Sequence, residues 1–155
     1  MERSILGFHR DEEDNWVAEL DCGHRQHVRH NPPFENRPWT TTEKGRKSKL
    51  GQQLQCPNCD RFELPEGFHT YKRTPEFDAL SIPDSLRKAH STKRGVWAKV
   101  RVSEGQLRYS VHAPLHQEFV LQPGNDGIIV PEVLHHVELL GPVQFYVEFY
   151  KHTPV

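Results

Sequence analysis

Apolar and polar positions alternate with a period of two in a series of short runs along this chain. Asn15-Trp16-Val17-Ala18-Glu19-Leu20 predicts a strand with Trp16, Ala18 and Leu20 on one face. Residues 25–30 can pair with it across the Cys22-Gly23-His24 turn, and Asn31-Pro32-Pro33 ends the hairpin, because proline cannot donate to a ladder. Thr42 to Gly51 predicts a short helix with a threonine cap and a glycine stop. Cys56-Pro57-Asn58-Cys59 is a tight turn, and residues 65–75, with Pro65, Gly67 and Pro75, read as a linker. Residues 83–90 predict one or two helical turns. Strand signals then follow quickly at Val96–Val102, Gln106–His112, Glu118–Gln122, Ile128–Val130, His135–Leu140 and Val143–Tyr150, separated by glycine- and proline-bearing turns. The pattern predicts a mainly β chain with a small zinc-knuckle module over residues 1–64 and a small sandwich or barrel over residues 75–155.

Composition narrows this. With 155 residues and 35% hydrophobic content, the chain cannot bury two large cores, so a first module this polar is expected to lean on a metal. Divided after Leu64, the first part carries 10 basic and 11 acidic residues and the second 10 and 10. That balance argues against a dedicated nucleic-acid binder. No apolar run approaches the ~20 residues that cross a bilayer, and the N-terminus turns acidic with no signal-peptide core. A cytoplasmic protein with no membrane association is expected. An odd count of 3 cysteines argues against a disulfide framework.

The cysteines instead suit a metal. Zinc takes four thiolate or imidazole ligands in a tetrahedron. Cys56-x-x-Cys59 supplies two, and Cys22-Gly23-His24 supplies a third and a fourth. His27 and His30 compete with His24 for the fourth place; His24 is preferred because it lies beside Cys22. The alternative is a redox Cys-x-x-Cys with Cys22 as an isolated thiol, but zinc uses all three cysteines. His27-Val28-Arg29-His30-Asn31-Pro32-Pro33 is a small anion-binding edge, a support for the zinc histidine, or a solvated hairpin strand followed by a turn, and the last is preferred for want of a partner carboxylate. Lys44, Arg46, Lys47 and Lys49 read as a solvated helix face with cations near its C-terminus rather than as a phosphate-binding patch.

Three features of the second part suggest a pocket: His90-Ser91-Thr92-Lys93, the His135-His136 pair after Val130-Pro131-Glu132, and Glu148 in an aromatic run. Alternation puts Val143, Phe145, Val147 and Phe149 on one face of the last strand, and Gln144, Tyr146, Glu148 and Tyr150 on the other, which could line a cavity. Two histidines and a carboxylate can hold zinc, iron, nickel or manganese. From spacing alone the alternative is scattered surface histidines with a cross-strand Glu, and His112 and His116 are rival ligands.

Residues 7–60 resemble a small uncharacterised bacterial family through Gly7-Phe8-His9, Cys22-Gly23-His24, His27-Val28-Arg29-His30-Asn31-Pro32-Pro33, Arg37-Pro38-Trp39 and Cys56-Pro57-Asn58-Cys59-Asp60. Residues 75–153 resemble the cupin-like N-terminal domain of tellurite-resistance methyltransferases and related short bacterial proteins. That likeness rests on His90-Ser91-Thr92-Lys93, Gly95-Val96-Trp97, Pro131-Glu132-Val133-Leu134-His135-His136 and Phe145-Tyr146-Val147-Glu148-Phe149-Tyr150. It implies a cupin-like double-stranded β-helix barrel, with His90, His135 and Glu148 as a metal set, His135 rather than His136 falling on the histidine position. Trp97, Tyr109 and Tyr146 are candidate pocket walls. The cupin pattern His-x-His followed by Glu is missing from Gly95 to His112, so the resemblance does not carry metal-dependent oxygenase chemistry over to this chain. No Gly-rich nucleotide loop follows a strand, so tellurite methylation is not expected of it.

The function these readings favour is a metal-binding, cupin-like protein that senses or binds a small ligand, an oxyanion among the candidates, in a bacterial stress or tellurite-resistance-type response. Structural zinc is expected in the first module, a second divalent metal in the barrel, and a homodimer as the assembly. A metal-dependent cupin enzyme of oxygenase, isomerase or hydrolase type is one alternative; a zinc-module adaptor docking protein or nucleic acid is another.

Overall fold

A computed structural model describes residues Met1–Thr153. The chain divides into two compact units, Met1–Asn58 and Cys59–Val155, with the division inside one short helical turn.

The first unit is an antiparallel sheet of order β3-β2-β1-β4, formed by β1 (Glu2–Arg10), β2 (Trp16–Leu20), β3 (Arg25–His27) and β4 (Gln53–Gln55). β2 and β3 form the expected hairpin, although β3 stops at His27. β1, a central strand, and β4 carry no alternating signal. The register of β1 against β2 shifts between Ile5 and Gly7, which leaves Leu6 exposed while Ile5 is buried. The buried apolar set of this unit is small: Ile5, Val17, Ala18, Leu20 and Val28, with Cys22 and Cys56. α1 (Glu43–Ser48) starts where expected: the Gly45 amide donates to Thr42 Oγ1 at 3.0 Å. It ends at Ser48 with Lys49 as its C-cap, and the expected glycine, Gly51, follows two residues later at φ +82°, a conformation that favours glycine. Arg46 lies 3.7 Å over the Trp16 ring, Lys49 lies over Trp39 and Lys47 pairs with Glu43, so the basic run is engaged locally.

The second unit holds two antiparallel sheets. One has the order β5-β11-β6-β9, the other β10-β7-β8. The strands are β5 (Phe68–Arg73), β6 (Trp97–Glu104), β7 (Leu107–Val111), β8 (Gln117–Leu121), β9 (Gly127–Ile129), β10 (His135–Leu139) and β11 (Gln144–His152). Two one-turn helices, α2 (Pro57–Asp60) and α3 (Asp84–Arg87), and a 3-10 turn at Pro38–Thr41 are the remaining helical elements of the described residues. All six strands expected after residue 95 are present. The stretch expected to be a linker is not one: β5 pairs with β11 from Phe68↔His152 to Arg73↔Glu148. Inward positions of the two sheets, Val100, Val102, Leu107, Val111, Leu121, Ile129, Val137, Phe145 and Val147, are nearly all removed from solvent. The sheets approach closely at β9, where Tyr109 donates its hydroxyl hydrogen to the Ile128 carbonyl at 2.8 Å and a Cβ on Gly127 would sit 2.7 Å from Leu121 Cδ1.

Candidate metal centre and ligand cavity

The turn between β2 and β3 carries two of the four candidate zinc ligands. Leu20 and His24 close it through the His24 carbonyl at 3.0 Å, and Gly23, at φ +96°, supplies the left-handed residue that brings Cys22 and His24 to the same side. The other two come from the knuckle after β4, where the Cys56 amide donates to the Met1 carbonyl at 2.8 Å and Cys59 sits in α2. The four side chains are buried, and their ligand atoms all lie within 4.8 Å of one another. Cys22 Sγ and Cys56 Sγ are 3.8 Å apart, and His24 Nδ1 is 3.4 and 3.3 Å from them. A tetrahedral zinc with Zn–S bonds of about 2.3 Å has its sulfurs about 3.8 Å apart. The donor set and spacing therefore fit one metal ion and are compatible with zinc; thiolates with a neutral imidazole are the ligands that ion prefers. His27 and His30 are occupied elsewhere. His27 Nε2 faces Asp11 Oδ2 at 2.7 Å, a carboxylate partner that sequence reasoning did not find, and His30 Nδ1 accepts from the Arg37 amide at 3.0 Å. The His27 contact and the amides of Asn15 and Glu13 hold the Asp11 carboxyl below its ordinary range, the Asn15 amide contributing most.

In the second unit, a cavity of about 440 Å³ opens between the sheets. Its walls include Phe77, Val100, Ile129, Val137, Phe145 and Phe149, and its polar lining includes His90, Ser91, Thr92, Lys93, Lys72 and His135. His90 and His135 meet as a backbone bridge, each amide donating to the other's carbonyl at 3.0 and 2.8 Å, with ring centres 4.2 Å apart. His135 is 2% exposed, and burial pushes its pKa down to about 4. The His135 ring is therefore neutral near pH 7.

Glu148 does not join the two histidines. It takes Arg101 Nε at 2.7 Å and accepts the Tyr150 hydroxyl at 3.0 Å, and it is absent from the cavity wall. The reason is the pleat of β11: Phe145, Val147 and Phe149 line the cavity, so the face bearing Tyr146 and Glu148 is the outer one. The expected pocket face is thus inverted. Tyr146 lies under Arg73, 3.9 Å from the guanidinium, and is not a wall residue. Trp97 and Tyr109 are buried but do not line the cavity either, although the Tyr109 ring abuts that of His135 at 5.7 Å. His112 Nε2 and His136 Nδ1 hydrogen-bond to one another at 2.7 Å, and neither residue, nor His116, reaches the cavity. Among the described residues, the Cys22/His24/Cys56/Cys59 set is the one group of three or more such ligands that could hold an ion. What the sequence lacked was a sign of which face of β11 turned in.

Residues 72–147 match the TehB-like domain. Residues 6–63 match a family described as Protein of unknown function (DUF3565). Among solved structures, the chain is similar to a protein from E. coli strain K12, with 22% identity and a TM-score of 0.55 over 59% of this chain and 98% of that one. It is also similar to TehB from Haemophilus influenzae, with 24% identity and a TM-score of 0.51 over 56% of this chain and 32% of TehB. At these identities the likeness concerns the fold, and it covers about a third of TehB. No curated protein matches the chain. The fold is mainly β, as expected. No helix among the described residues is long and apolar enough to cross a membrane.

Proposed function

We propose that this chain is a zinc-stabilised, cupin-like binding protein whose second unit takes a small molecule into the cavity between its sheets. The observation that carries the reading is the cavity itself: about 440 Å³, walled by aromatic and aliphatic side chains, with His90, His135, Lys72, Lys93 and a few hydroxyl side chains as its polar lining. Apolar walls with a small number of convergent polar groups are the usual make-up of a small-molecule site. The same walls speak against a bare oxyanion such as tellurite, because stripping water from a small anion without a full set of donors is costly. An organic ligand in a stress or tellurite-resistance-type response suits the cavity better. Zinc at Cys22, His24, Cys56 and Cys59 would have a structural role, since four protein ligands leave no open coordination position.

A metal-dependent enzyme is the second reading. It is favoured by one observation: each Nδ1 of the His90–His135 pair is spent on a backbone carbonyl, which leaves Nε2 for a ligand. A divalent zinc, iron, nickel or manganese there would have to draw its remaining ligands from water or the bound molecule, because Glu148 is turned to Arg101. The adaptor reading is weaker, with three of the four basic side chains of the Lys44–Lys49 run already engaged by Trp16, Glu43 and Trp39.

Amide NMR of the labelled chain, titrated with a small-fragment set, is the test. Binding of small aromatic or aliphatic fragments that shifts the amide signals of Val100, Val137 and Phe145 is expected. Fragments that bind without moving those signals would rule out the cavity. A homodimer is part of the proposal, and light scattering should return twice the 18.1 kDa chain mass.

A further inference from the structure

The polar equipment of the cavity is selective. Thr92 Oγ1 donates to the Val96 carbonyl at 2.7 Å. Thr74 Oγ1 donates to the Pro75 carbonyl at 2.9 Å and accepts the Val147 amide at 3.0 Å. These hydroxyls are spent on the backbone. The two imidazoles are spent on it through one nitrogen each. His135 Nδ1 lies 3.1 Å from the Val133 carbonyl, and His90 Nδ1 lies 3.0 Å from the Lys88 carbonyl. A carbonyl only accepts, so each Nδ1 carries the proton and donates it. In a neutral ring this fixes the tautomer, and Nε2 is left as an acceptor. Among the described residues, neither Nε2 has a hydrogen-bond partner. Two acceptor nitrogens thus sit together in a cavity whose walls include Phe77, Phe145 and Phe149.

A dication fits this pair poorly. No carboxylate shares the cavity wall, and Lys72 and Lys93 add positive charge to it. Desolvating a metal ion there would lack the compensation that a carboxylate gives. A neutral hydrogen-bond donor on an apolar body meets every requirement: its ring or chain covers the walls, and its O–H fills an acceptor that otherwise stays unpaired.

We propose that the cavity recognises a small phenol, or a similar aromatic alcohol, with the hydroxyl donating to Nε2 of His135 and the ring lying among Phe77, Phe145 and Phe149, in the absence of any barrel metal. The proposal rests on the reading of the cavity as the ligand site and names the ligand's class.

The test is calorimetric titration of the zinc-loaded full chain with three matched probes: 4-propylphenol, 4-propylanisole and 4-propylbenzoate. A hydrogen bond that leaves a buried acceptor unpaired when missing is worth about tenfold in affinity. The phenol is expected to bind about tenfold more tightly than the anisole. His135→Leu should erase that difference, and His135→Gln, which keeps an acceptor, should restore part of it. Amide NMR spectra of both variants would establish that they fold. Equal binding of phenol and anisole to the wild type overturns donor recognition and leaves the cavity reading standing. Tightest binding by the benzoate overturns it in favour of an anion held by Lys72 and Lys93. Phenol binding that appears only on addition of a second equivalent of zinc overturns it in favour of a metal site. Failure of all three probes to bind removes the support for both the proposal and the cavity reading.

Discussion

Acidification from pH 7 to pH 4 should weaken the second unit through His135. The folded pKa of about 4 lies below the ordinary value of 6.5, because the ring is buried and its charged form is penalised. The sign follows from proton counts. Above pH 6.5 neither the folded nor the unfolded ring is protonated, and the group contributes no pH dependence. Between 6.5 and 4 the unfolded chain binds a proton that the folded chain refuses, so stability falls as pH falls. Below 4 both are protonated and the loss levels off. A depression from 6.5 to about 4, at about 1.4 kcal/mol per unit, corresponds to about 3 kcal/mol. That is a large share of the 5–15 kcal/mol typical of a domain. Urea denaturation from pH 7 to pH 4, followed by the indole NMR signal of Trp97 in this unit, would read it. Subtracting the profile of His135→Leu isolates the single group from other titrations. A difference between the two proteins that grows steadily as pH drops from 6.5 is the expected result. A flat difference across that window would mean that His135 titrates as an exposed histidine does and that the buried, neutral ring assumed for ligand recognition is wrong.

Other expectations test separate parts of the account. Glu148→Gln should change affinity for a cavity ligand by less than twofold in a calorimetric titration, since the carboxylate faces Arg101 outside the cavity. Gly127→Ala should cost about 1–3 kcal/mol in the urea transition, as the new methyl meets Leu121 and Tyr109 at 2.7 and 3.0 Å in a core with little room. Thr42→Ala removes the Gly45 cap of α1 and should cost about 1 kcal/mol in the first unit's transition.

Much of the second unit was legible because its strands alternate and its turns carry glycine or proline. Those two signals act over a few residues, so each strand from Trp97 to His152 could be placed within about two positions. β5 was not legible: Pro65, Gly67 and Pro75 bracket an exposed run whose only reason to extend is its partner β11. β1 failed for a similar reason, as Arg3 and Ile5 are buried while Leu6 is pushed out by the bulge. The thiol and imidazole set was legible from rare residue types at ligand spacing, which needs no tertiary knowledge. The barrel set was not. Tyr146 and Glu148 gave β11 a face that looked like a lined pocket, but Arg73 and Arg101 satisfy those groups on the outside. Which face of a strand turns inward depends on cross-strand partners that no local pattern reveals.

Elemental analysis of metal per chain tests the account most directly, on wild-type protein purified without added metal beside Cys56→Ser and His135→Leu. One zinc per chain in the wild type, lost with Cys56→Ser and retained in His135→Leu, is the predicted result. Absence of zinc from the wild type, or a second metal that leaves with His135→Leu, would contradict it.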